Sequence, residues 1–142
     1  VIIAFLLAQI FAPCSPAVAR LRAEHVRGAE LVSRTVVCVD VVLAARARGV
    51  DPRLAVSVAW HESRMAPNDE SSAGAVGPMQ VVPRWWCPEG RRAGCDVVDA
   101  GMEALATYTG RYGLREGLAR YNAGNDPGPR AWEYADGVLE WL

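Results

Sequence analysis

The chain opens on an uninterrupted apolar run, "VIIAFLLAQIFA", and then changes to the three-and-four spacing of amphipathic helices. Leu31, Thr35, Cys38, Val42 and Ala45 form one apolar stripe in a helical stretch over residues 21–48. Gly28 is a weak point in that stretch, and Arg46 and Arg48 stand near its end before Gly49. A second stripe, Leu54, Ala55, Val58 and Ala59, begins after Asp51-Pro52, an N-cap residue followed by a proline suited to a first helical turn. A polar, glycine-rich connection, "NDESSAGAVGP", and a short turn, "PMQVVPRWW", follow. Asp96 caps a helix predicted from about Val97 to Tyr112 and stopped by Gly113. "LREGLARY" predicts a shorter helix, and the last begins near Arg130 after the loop "NAGNDPGP". Strand signals are nearly absent and no repeat is visible. The pattern predicts a mainly α fold.

One polar residue breaks the second stripe. Glu62 lies seven residues after Ala55, four after Val58 and three after Ala59, so it shares the face that the apolar residues bury. It also stands on the last turn before Pro67, at the negative end of its helix dipole. Partial burial and that dipole both favour the protonated acid, which suits proton donation near neutral pH. The bland reading is a surface glutamate paired with Arg64 or another arginine, and this segment alone does not exclude it.

Composition narrows the choices. A chain of 142 residues holds one domain with a real core. The net charge of −1 gives no general pull towards nucleic acid, and all 15 basic residues are arginine. The opening apolar run followed by "PCSPAVA", with small residues at Ala17 and Ala19, matches a secretory h-region and cleavage site. Residues 1–19 are therefore expected to be a signal peptide and 20–142 the domain, with no stable membrane span after its removal. An uncleaved anchor is the alternative, and a span needs about 20 apolar residues. Cys87 and Cys95 flank the turn-rich "PEGRRAG" and read as a local disulfide in an oxidising compartment; Cys38 loses its partner if Cys14 leaves with the signal. Only two histidines are present, and neither stands at zinc-ligand spacing from a cysteine pair. "HESRM" lacks the second histidine of a metalloprotease helix, and no nucleophile elbow or phosphate-binding glycine loop occurs.

Three segments in fixed order remain: "WHESRM", "GAVGPMQVVP" and "ARYNAG". From about Gly49 onwards they resemble the soluble-type (SLT) lytic transglycosylases, relatives of goose-type lysozyme. The family's Glu-Ser pair, Gly-Leu-Met-Gln loop and Ala-Tyr-Asn-Ala-Gly loop correspond to Glu62-Ser63, Gly77-Pro78-Met79-Gln80 and Arg120-Tyr121-Asn122-Ala123-Gly124. Pro78 in place of leucine and Arg120 in place of alanine are departures; neither touches the acid.

The resemblance implies a lysozyme-like single helical domain with a substrate cleft. It implies that Glu62 is the catalytic acid and then base, cleaving peptidoglycan between N-acetylmuramic acid and N-acetylglucosamine and leaving 1,6-anhydro ends. Neither metal nor organic cofactor is implied. Met79 is expected against a sugar face, Gln80 on an acetamido group or hydroxyl, and Tyr121 on the Glu62 carboxyl. Asn122 serves either substrate contact or helix capping, Ser63 supports the motif, and Tyr134 resembles a late tyrosine lining the same site. Trp85 and Trp86 stack on sugars or pack in the core.

The expected setting is the periplasm or outside the cell, as a monomer on glycan strands. Wall turnover, assembly of an envelope-spanning secretion apparatus and phage entry are all compatible with it. One alternative is a lysozyme-like hydrolase using Asp69 or Glu70 to activate water. Another is a weakly active wall-binding or secretion-assembly subunit.

Overall fold

The computed structural model describes all 142 residues, which form helices and loops without a strand. The opening residues make α1 (Ile2–Phe11), a single 3₁₀ turn over Ala12–Cys14, and α2 (Ser15–Ala23). α3 (Gly28–Ala47) follows a break at residues 24–27, where the helical stretch expected from residue 21 is interrupted just ahead of Gly28. Its predicted stripe is the buried face: Cys38, Val42 and Ala45 are inside, and Leu31 packs at the margin.

α4 (Pro52–Ser63) is the centre of the core, with Leu54 through Trp60 all buried. Its start follows from local chemistry, because the Asp51 carboxylate accepts from the Arg53 N–H at 2.8 Å. Its end is unusual. Arg64 and Met65 both take the left-handed conformation, at φ 54° and 63°. A non-glycine residue pays about 1 to 2 kcal/mol for this conformation. Full burial of Met65 and a hydrogen bond from Arg34 of α3 to the Arg64 carbonyl, at 2.9 Å, hold the turn.

The polar connection folds back on itself through isolated bridges from Val76 to Glu70 and to Val81, and leads into the short α5 (Pro83–Trp86). Cys87 and Cys95 are joined behind it, as their spacing suggested. α6 (Val97–Tyr112) starts with the Asp96 side chain accepting from the Asp99 N–H at 3.0 Å and ends at Gly113. α7 (Leu114–Ala123) and α8 (Pro129–Leu139) complete the fold.

α6 and α7 approach so closely that a Cβ on Gly117 would stand 2.5 Å from the Thr109 Cα; only glycine fits there. Met102, Leu105, Leu118 and Val138 fill the space between these helices and α4. Cutting Leu105 to alanine would cost about 2 to 5 kcal/mol by the usual transfer and cavity terms.

The expected boundary after Ala19 falls inside α2. That helix carries Ala17 and Leu21 in the core, and the preceding turn carries Cys14, which is bonded to Cys38 of α3.

Candidate active site

The last turn of α4 brings Glu62 to a half-buried position beside α7 and α8. Burial pushes its pKa up to about 7, and the Tyr134 hydroxyl of α8 opposes part of that rise. No salt bridge reaches this carboxyl: Arg64, the sequence-adjacent candidate, pairs with Glu24 instead at 3.6 Å. The surface-glutamate reading therefore fails on environment. An acid of this kind is half protonated near neutral pH and can both give and take a proton there.

Two tyrosines stand around it. Both hydroxyls are pushed well above their ordinary pKa, first by burial and then by the nearby Glu62 charge, so both remain donors at any working pH. Tyr121 of α7 donates to the Met79 carbonyl at 2.6 Å rather than to the acid. Tyr134 is the one beside Glu62. Its oxygen is buried without a completed hydrogen bond, yet it is close enough to the carboxyl to lower the Glu62 pKa.

The loop that follows is held from both sides. The buried Ser63 hydroxyl donates to the Pro78 carbonyl at 2.9 Å and receives the Ala66 N–H at 3.2 Å. Tyr121 grips the next carbonyl along. Met79 differs from its expected place at a sugar face: its side chain is fully buried against Gly101 of α6, where a Cβ would come within 2.4 Å. Gln80 is half exposed, at φ 48°. Its amide nitrogen donates to the Asp69 and Gly77 carbonyls at 3.1 and 3.0 Å, which leaves its oxygen free to accept.

A cavity of about 480 Å³ opens beside this loop, lined by Gln80, Trp85, Trp86, Tyr108, Tyr121 and Asn122 among others. Glu62 is not on its wall; Tyr121 lines the cavity and also lies close to the Glu62 charge. Asn122 is exposed within the last turn of α7, and Gly124, at φ 78°, performs the capping. Trp86 meets Tyr108 edge to face at 5.8 Å and packs partly buried against the small cluster of Val76, Val81, Cys87 and Ala100, whereas Trp85 is 68 % exposed. Arg120 lines the cavity too, and turns to Glu116 at 2.8 Å and the Asn125 carbonyl at 2.9 Å.

Tyr108 escaped the reading of the sequence. Its signal was its place on α6, four residues after the buried Ala104 and seven after Gly101, which turns it to the same side of the helix as the loop contact.

The family description of the transglycosylase SLT domain matches residues 41–139, from within α3 to the end of α8. The chain belongs to the SLT transglycosylase family. It is thus a lytic transglycosylase of the lysozyme-like superfamily, an enzyme acting on peptidoglycan in the cell envelope. Among curated proteins and among solved structures, nothing matches the chain. The matched span holds every residue described in this site and leaves α1 and α2 outside it.

Proposed function

We propose that Glu62 works alone, first as acid and then as base, in a non-hydrolytic cleavage of the glycan. The protonated carboxyl gives its proton to the oxygen linking N-acetylmuramic acid to N-acetylglucosamine, and the bond from that oxygen to the muramic C1 breaks. The 2-acetamido group of the same sugar carries the developing positive charge. Its C6 hydroxyl then bonds to C1 and returns its proton to Glu62. The products are a free 4-hydroxyl on one fragment and a 1,6-anhydro end on the other. An attached nucleophile competes well with water, since correct placement supplies several kcal/mol of the barrier.

The observation that carries this reading is a carboxyl with its pKa near 7, half-buried and without a cation. The two carboxylates a hydrolase could recruit are poorly suited. Asp69 and Glu70 are exposed, and Glu70 is engaged with Arg92 at 2.9 Å.

In the proposed complex the glycan passes Glu62 and continues across Tyr121 into the cavity, where Trp86 and Tyr108 offer ring faces and Gln80 its free amide oxygen. Asn122 supplies a further polar contact at the rim. Tyr134 completes its hydrogen bond to Glu62 when the carboxyl becomes an anion, which stabilises the base form in the second half of the reaction.

Mass analysis of the products from purified glycan strands tests this directly. Anhydro ends, one water lighter than reducing ends, are expected. Predominantly reducing ends lost on Asp69→Asn or Glu70→Gln would establish the hydrolase, and no cleavage at all would point to the wall-binding role.

A further inference from the structure

Helix α1 has no core to join. Ile2, Ile3, Phe5, Leu6, Leu7 and Phe11 are all exposed, and none of the residues of α1 is buried. It is apolar all round, the pattern of a helix surrounded by something other than water. Taken with α2 it is part of a helical stretch, Ile2–Ala23, with mean hydropathy 1.9 over its most apolar part. The lower half behaves in the opposite way. Cys14, Ala17 and Leu21 are inside the domain, and the Cys14–Cys38 disulfide ties this half to α3. Cutting after Ala19 would split α2 and remove Ala17, one of its two buried residues.

The join between the two halves is ringed by positive charge. On one side, a cavity of about 260 Å³ is lined by Gln9, Pro13, Arg46, Arg53 and Trp141 among others. Arg46 donates to the Gln9 carbonyl at 2.6 Å, which fastens α1 to the end of α3. Arg20 lies over the Trp141 ring at 4.3 Å. On the other side, Arg22 lines a second groove with Phe11 and Val18. Arginines and an indole at the foot of an apolar helix match the order of a bilayer edge, with acyl chains above and phosphates with interfacial aromatics below.

We infer that residues 12–23 are retained as part of the mature domain, that α1 enters a lipid bilayer, and that the arginines at its foot bind anionic headgroups. The enzyme then works tethered at the membrane surface, with its arginine-ringed foot towards the lipid.

Two experiments test this inference without relying on glycan chemistry. Protein recovered from the envelope is digested without reduction and mapped. A fragment joining the Cys14 and Cys38 peptides is expected; a mature chain beginning at Arg20 overturns retention. The full chain purified in mild detergent is then mixed with vesicles of phosphatidylcholine, with and without phosphatidylglycerol, and floated on a density gradient.

Wild type should float with both and favour the anionic vesicles at low salt. Phe5→Glu with Leu6→Glu should lower partitioning into both by about a hundredfold or more. Arg46→Ser with Arg53→Ser should keep flotation and lose the anionic preference, by roughly fivefold per arginine. A wild-type chain that stays at the bottom, or a double-glutamate variant that floats equally well, overturns the anchor. An arginine variant with unchanged preference overturns the headgroup contact.

Discussion

Two carboxylates at opposite ends of helices show how position sets chemistry in this protein. Asp99 stands in the first turn of α6 and takes two hydrogen bonds from Arg48, at 2.7 and 2.8 Å, which hold its pKa below the ordinary range. Glu62 stands in the last turn of α4, half-buried, with a phenol beside it and no cation, and its pKa is pushed up to about 7. Asp99 is always charged and serves the surface. Glu62 can change its charge at working pH. Nothing intrinsic to the two side chains explains this contrast; the partner and the burial do.

The comparison breaks most severely if Glu62 is replaced. Glu62→Gln keeps the shape and cannot transfer a proton, so release of muropeptides from purified peptidoglycan should fall by about 10² or more. The same variant should reveal the cost of the acid. The folded pKa lies above the unfolded value, so wild type binds more protons folded than unfolded between about pH 4.5 and 7. Its stability contribution from this group is present below the lower value and is lost as pH rises through the upper one. Denaturant melts at pH 8 should therefore show Glu62→Gln more stable than wild type by roughly 2 to 3 kcal/mol, with the gain gone by pH 4. An equal difference at both pH values would mean the carboxyl is not strained by burial.

Tyr134→Phe gives a smaller change. It removes the group that lowers the Glu62 pKa, so the pH at which turnover falls on the alkaline side should move upward. Its fold should not suffer, because the lost hydroxyl had no completed partner. A downward shift in the pH–rate profile would assign the tyrosine another job. Smallest of all, Asp99→Asn should cost no more than about 1 kcal/mol in thermal or chemical melts and leave activity near wild type, since its pair with Arg48 is well exposed.

What could be read from the chain is what local chemistry decides. Asp51-Pro52, Asp96 and Gly113 mark helix limits through groups within a few residues, and the structure places these limits as expected. The buried face of α4 and the position of Glu62 on it follow from period alone. Contacts between distant segments were harder to read. Met79 looked available for a sugar until Gly101, far along the chain, was seen to receive it. Tyr121 and Tyr134 were both candidates for the acid, and choosing between them requires the packing of α7 and α8 on α4. Residues 1–19 had the composition of an address label; that Cys14 bonds to the distant Cys38 and that Ala17 is buried could not be read from composition.

The grip on the loop after α4 bears on how this sequence can drift. Ser63 and Tyr121 hold the carbonyls of Pro78 and Met79, groups that every amino acid carries. The identity of residue 78 is thus invisible to the hydroxyls that position it, and a proline can stand where the family usually has leucine. The two donors have no such freedom. Changes should accumulate at 78 while 63 and 121 stay fixed.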